Sequence, residues 1–340
     1  TLEPAIKAFD EAGAALSPVD AKLAANLKES TSFLSEFFFG LQLICAGKDT
    51  SYVYSAQLSR SKSNRGQEML CAEKLDIGEE LAQRWLPEMH SVVFTSATMA
   101  VSHNFDHFDA AIGLSKGDFS HQSRELDSSF NFDENMAVVV PKDIPEPNDA
   151  RYLQVLEDVL YDIHVGMGGS VLTLFTNRRD MEQLYERLKS RLAENGLLLE
   201  CQERSGSARH LRDRFVADEA CSLFALKSFW EGFDAVGNTL RCVVIPRLPF
   251  ASPNDPISKE RSQREERAWW RYSLPEAVIA TKQAAGRLIR SGSDKGILVL
   301  ADSRVVSKRY GKQFLNSLPK KQADIICRED VKNFIVRWRE

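Results

Sequence analysis

At 340 residues the chain is long enough for two or three domains with real cores. Its 43% hydrophobic and 27% charged residues describe a soluble globular protein and exclude disordered, collagen-like and disulfide-framework classes. A net charge of −4 does not advertise nucleic-acid binding, although a groove needs only a local positive field. No apolar run reaches about 18 residues and no signal peptide opens the chain, so no membrane partner is expected and a cytoplasmic protein is. The six cysteines (Cys45, Cys71, Cys201, Cys221, Cys242 and Cys327) form no C-x₂-C pair, so neither a metal site nor a disulfide framework is expected. Cys71, Cys221 and Cys242 fall in apolar, strand-like runs and read as buried hydrophobes.

In chain order, residues 1–50 are helical in pattern. Pro18 and Asp20 begin a long segment with Leu23, Leu27, Leu34, Phe37, Phe38, Leu41 and Ile44 at helical spacing, and its phenylalanines read as core or, alternatively, as a surface exposed by truncation. Residues 51–115 hold strand-like YVYSAQL and EMLCAEKL, a helical stretch over 76–86, and SVVFTSAT (91–98), a buried strand ending in hydroxyls. Residues 116–340 alternate apolar runs with helical patterns. The runs are AVVVP (137–141), SVLTLF (170–175), GLLLECQ (196–202), CSLFALK (221–227), LRCVVIP (240–246) and GILVLAD (296–302). Helices are predicted over 177–193 and 274–290. Such alternation implies an α/β fold, a parallel sheet with helices on both faces, with ligands at the carboxyl ends of its strands.

The chemistry concentrates in QAAGRLIRSGSDKGILVLADSR, residues 283–304. A helix there would set Gln283, Gly286, Arg287 and Arg290 on one face, with Ala284, Ala285, Leu288 and Ile289 on the other. Glycine weakens a helix interior by about 1 kcal/mol, but at 286 it would let another surface approach between two guanidiniums. Guanidinium forks match phosphate oxygens, so the pattern suits a polyphosphate. The bland alternative is a solvated helix face.

Taken with SFWEGFDAVG (228–237), this segment resembles the DinG/XPD-like helicases, ATP-driven DNA helicases of superfamily 2. The resemblance runs from about residue 70 to 320 in family order: CAEKLDIGEEL (71–81), VVFTSATMA (92–100) as motif III, GGSVLTLFTNRRDMEQL (168–184) as motif IV, 227–256 as motif V and its continuation, and 283–304 as motif VI. Phe233 and Ala235 depart from the usual motif V residues without removing a polar group. The phosphate loop, G-x-x-x-x-G-K followed by Ser or Thr, is absent; AGKDT (46–50) and FDEAG (9–13) only imitate it and the DEAH box.

The resemblance implies a RecA-like second helicase lobe over 116–340, preceded by a helical arch-like segment (1–50) and the tail of the first RecA-like lobe (51–115), with the N-terminal helicase lobe missing. It implies Arg287 and Arg290 as arginine fingers with Gln283, and Gly286, Asp234, Glu231 and Gly232 on the nucleotide side. It implies DNA contacts from Thr176, Asn177, Arg178, Ser228 and Trp230, and coupling between lobes through Ser96 and Thr98. ATP and Mg²⁺ would serve the intact protein and single-stranded DNA would be its partner; no iron–sulfur cluster is expected in this chain, and no ATPase from it alone. Two other readings remain: a degenerate, non-enzymatic nucleic-acid-binding module, and a helicase-like lobe assisting a nuclease. From Ser303 to Ala323 there are six bases and no acid, either a solvated face or the rim of a DNA groove.

Overall fold

The computed structural model describes residues 2–58, 68–202, 204–226, 229 and 239–340. They fall into two compact units, residues 1–81 with 252–266, and 82–251 with 267–340.

In the first unit, helix Glu3–Leu16 packs on helix Ala21–Ala46. Asp20 starts the second helix as the sequence predicts: its carboxylate accepts the Lys22 and Leu23 amides, each at 3.0 Å, while Gly47 ends it in the left-handed region. Strands β1 (Tyr52–Gln57) and β2 (Met69–Lys74) form an antiparallel pair. Helix Pro256–Arg264 joins this unit, with Arg261 donating to the Leu75 carbonyl and Arg264 to that of Thr50. The expectation of a phenylalanine core fails here. Phe33, Phe37 and Phe39 are 67%, 54% and 60% exposed, and Ala24 and Thr31 are the buried residues of their helix. The apolar residues spread around more of the helix than its helical neighbour covers. Cys71 is likewise only half-buried, since a two-stranded ribbon covers little of its own surface.

The second unit is built on a seven-stranded sheet, ordered β5-β6-β4-β7-β8-β3-β9, with every pairing parallel. Its strands are β3 (Met136–Pro141), β4 (Val171–Leu174), β5 (Leu198–Cys201), β6 (Cys221–Ala225), β7 (Cys242–Ile245), β8 (Gly296–Leu300) and β9 (Asp324–Ile326). The first six are the predicted apolar runs. β9 was not predicted: it has three residues, Asp324 and Ile325 exposed, and lies at an edge, so it leaves no continuous apolar run.

Side chains alternate across the sheet. Val138, Leu172, Val243 and Leu298 point into one core with helices Ala208–Ala217, Leu274–Ala285 and Gly311–Ser317. Val139, Val171, Val244 and Val299 point into the other with helices Tyr152–Met167, Arg178–Ala193 and Val331–Arg339. Both faces are covered, so the strands β3 to β8 read as largely apolar runs. This is the RecA-like α/β architecture that the resemblance implies. Gly169 makes the tight entry to β4: its φ is +103°, and a Cβ would lie 2.2 Å from the Glu219 carbonyl oxygen.

The predicted strand over 91–98 does not form. Residues 91–96 carry no regular structure, with Val93 84% exposed. A strand exists only through its hydrogen-bonded neighbour, and none of the described strands lies beside this one.

Candidate nucleotide-binding cleft

Helix Leu274–Ala285 carries the residues that matter most. Leu274, Ala277, Val278, Ala284 and Ala285 seat it on the sheet. It ends earlier than predicted: the expectation of one helix through Arg290 is wrong. Gly286 caps it, and Arg287 and Leu288 close a turn on Ala284 and Ala285. Beyond that, the Asp294 carboxylate accepts the amides of Arg290 and Ser291, each at 2.8 Å, and the Ser291 hydroxyl at 2.7 Å. This local side-chain-to-backbone network competes with the helix and wins. Burial works to raise the Asp294 carboxyl, yet these hydrogen bonds hold it below the ordinary range.

Gln283, Gly286, Arg287 and Arg290 therefore do not form a helical stripe. They nevertheless line one cleft of about 1460 Å³, together with Thr98, Lys282, Phe130, Phe132 and Lys321. Arg287 is 7% exposed, whereas Arg290 is open to solvent. The predicted packing residues behave as expected, with Leu288 and Ile289 buried. The carbonyl end of the helix favours the cations of Lys282 and Arg287 beside it. Desolvation lowers the Lys282 pKa, with Glu125 opposing the shift, and its ammonium donates to the Ala100 carbonyl. At Gly286 a Cβ would meet only its own helix, the Lys282 carbonyl at 3.5 Å. Gly286 is among the residues that line the cleft.

Ser96 and Thr98 lie in a bend where their hydroxyls are 3.2 Å apart and the Thr98 amide donates to Ser96 Oγ. That is local capping, though Thr98 still lines the cleft. The motif V candidates Ser228, Trp230, Glu231, Gly232 and Asp234 lie outside the described residues, as do Phe233 and Ala235.

Residues 161–321 match the helicase C-terminal domain family. The chain is 29% identical over 326 residues to the 3′-5′ exonuclease DinG of Bacillus subtilis, covering 94% of this chain and 35% of that protein. It is 33% identical over 254 residues to the ATP-dependent DNA helicase YoaA of Escherichia coli, covering 74% and 39%. The chain belongs to the DinG/XPD-like helicases, in their C-terminal portion. It spans about two-fifths or less of those relatives. A solved XPD helicase structure shares the fold, with a TM-score of 0.58 over 90% of this chain and 54% of that one, at 18% identity.

In this helicase portion the motif IV residues sit at the carboxyl end of β4. Thr176 is exposed, and Asn177 caps helix Arg178–Ala193 by accepting the Arg179 and Asp180 amides. Arg178 pairs with Glu182 at 2.9 Å. Burial raises the nearby Asp180 carboxyl, against the pull of Arg247 and Arg179. The basic run divides. The guanidinium of Arg304 is held by Asp302, whose side chain is fully buried, through contacts from 2.6 to 3.2 Å, and Asp302 also accepts the Leu248 amide. Lys308 pairs with Glu146 and Lys320 with Asp133. Arg309, Lys312 and Lys321 remain exposed. Sequence reasoning had no signal for the Asp302–Arg304 pair, because an acid two residues before a base is ordinary on any surface. It also missed the 125–133 segment as a cleft wall.

Among the described residues no group of three or more His, Cys, Asp or Glu is placed to hold a metal ion, and no helix is long and apolar enough to cross a membrane.

Proposed function

We propose that this chain is the part of an ATP-dependent DNA helicase that stabilises the phosphoryl-transfer transition state and borders the path of single-stranded DNA. One observation carries the reading: Arg287, Arg290, Gln283 and Gly286 of motif VI share one cleft with Thr98 of motif III. Charge builds on phosphoryl oxygens during transfer, and a positioned guanidinium is worth about 10³–10⁵ in rate. Arg287, largely withdrawn from water, acts in a lower dielectric, where a preorganised charge does most. Gln283, one helical turn away, offers an amide to a phosphate oxygen or to the attacking water. Opening and closing of the nucleotide site would drive translocation on the single strand, with Thr176, Arg178 and the exposed bases of the 304–321 run touching backbone phosphates. The related proteins are named as helicases, which supports ATP as the fuel and DNA as the track.

In the full-length protein, Arg287→Ala and Arg290→Ala should each lower kcat by at least about a hundredfold with little change in ATP affinity, because the charge acts mainly in the transition state. Steady-state ATPase with and without single-stranded DNA measures this. A variant that keeps its kcat removes that arginine from the role. A second reading, a helicase-like portion serving a nuclease, draws on the Bacillus subtilis relative named an exonuclease. Under it the same variants would leave nuclease turnover intact.

A further inference from the structure

We infer that the cleft receives a whole nucleoside triphosphate, base included, and that Phe130 is the platform for the base. The inference rests on the reading that Arg287 and Arg290 face phosphate, and adds a second recognition element to that site. The cleft lining is of two kinds: it carries the cations of Lys282, Arg287 and Arg290, and the apolar side chains of Phe130, Phe132, Ile289 and Leu318. A nucleotide has the same two-part character, a flat ring system joined to a polyanion. A volume near 1460 Å³ exceeds what phosphate alone would need and lies above the usual range of small-molecule sites.

Phe130 is built into place. Its amide donates to Ser128 Oγ at 3.1 Å, its carbonyl accepts the Phe132 amide, and the ring meets Phe132 edge-to-face at 6.2 Å. Both rings are only half-buried although packed against the core, so aromatic surface is left towards the cleft. Carboxylates on the same wall would oppose a polyanion, but two of them are occupied: Glu125 lies 2.7 Å from His103 and Asp133 faces Lys320. Because the segment leads directly into β3, whose register is fixed by β8, the platform is held relative to the sheet that also seats the motif VI helix.

Calorimetric titration of the 340-residue chain with ATP and with inorganic tripolyphosphate, in magnesium-free buffer, tests this. ATP should bind roughly tenfold tighter than tripolyphosphate, the worth of one base–aromatic stack. Phe130→Ala should erase that difference and leave tripolyphosphate binding unchanged. Phe130→Leu, which keeps the volume and the fold, should erase it too, while Phe130→Tyr should restore it. Equal affinity for the two ligands overturns the platform and leaves the arginine reading standing. Failure of both to bind overturns the inference, and the arginines then stand or fall by the kinetics of the full-length enzyme. Loss of tripolyphosphate binding in Phe130→Leu would show that the ring shapes the cleft and does not stack.

Discussion

Gly286 separates two meanings that a glycine can have. A Cβ there would sit 3.5 Å from the Lys282 carbonyl and 3.7 Å from that of Gln283, ordinary contacts that the fold tolerates. Replacement by alanine should therefore change unfolding free energy by no more than about 1 kcal/mol, within the intrinsic difference between the two residues in a helix. If the cleft is approached closely by phosphate or by another part of the helicase, the same methyl should lower ATPase activity at least about tenfold in the full-length protein. Denaturant unfolding beside steady-state turnover distinguishes the cases; a destabilised variant would mean that the glycine serves the fold. Gly311 is the contrast. A Cβ there would fall 1.9 Å from the Val305 carbonyl oxygen, so its absence of a side chain is required by packing alone.

At the scale of elements, the sheet was legible and the site only partly so. Six strands were visible because burial on both faces leaves uninterrupted apolar runs, and the caps at Asp20 and Asn177 because short polar side chains mark helix starts. The end of the motif VI helix was not legible. Residues 286–290 retain helical spacing of apolar residues, and only the three hydrogen bonds to Asp294 reveal that the chain leaves the helix. Strand 91–98 was misread for the opposite reason: its residues suit a strand, but a strand depends on a neighbour that local sequence cannot supply. One element also makes the fold pH-dependent. His164, on helix Tyr152–Met167, is fully buried against Phe224 and 3.3 Å from Thr173 Oγ1. Burial pushes its pKa from 6.5 down to about 3. As pH falls below 6.5 the unfolded chain takes up the proton and the folded chain does not, so stability declines by up to about 1.4 kcal/mol per unit and levels off near pH 3. Urea midpoints at pH 7.5 and 5.5 should differ more for the native sequence than for His164→Leu. Equal shifts in the two proteins would place the titration elsewhere.

Over the whole molecule the net charge of −4 and the pairing of the basic run set what DNA can feel. The 304–321 run reads as a strong basic patch in sequence. In the structure Arg304 pairs with Asp302, Lys308 with Glu146 and Lys320 with Asp133, while Arg309, Lys312 and Lys321 are exposed and outside these ion pairs. Each phosphate neutralised on a single strand contributes about −0.7 to the slope of log K against log salt. The three cations of the run outside these ion pairs therefore predict a slope near −2, whereas all six bases of the run would give about −4. Binding should be weak, in the range of roughly 10⁻⁴–10⁻⁶ M typical of contacts without sequence readout. Fluorescence anisotropy of a labelled oligonucleotide across a salt series measures both quantities on the 340-residue chain. A slope near −4 would mean that the internal ion pairs open to meet DNA. A flat slope with tight binding would mean that stacking dominates, and would turn attention to the motif V segment around Trp230. Replacing Arg309, Lys312 and Lys321 together with glutamine should reduce the slope by about 2 in magnitude while leaving the urea midpoint unchanged, because these side chains are exposed.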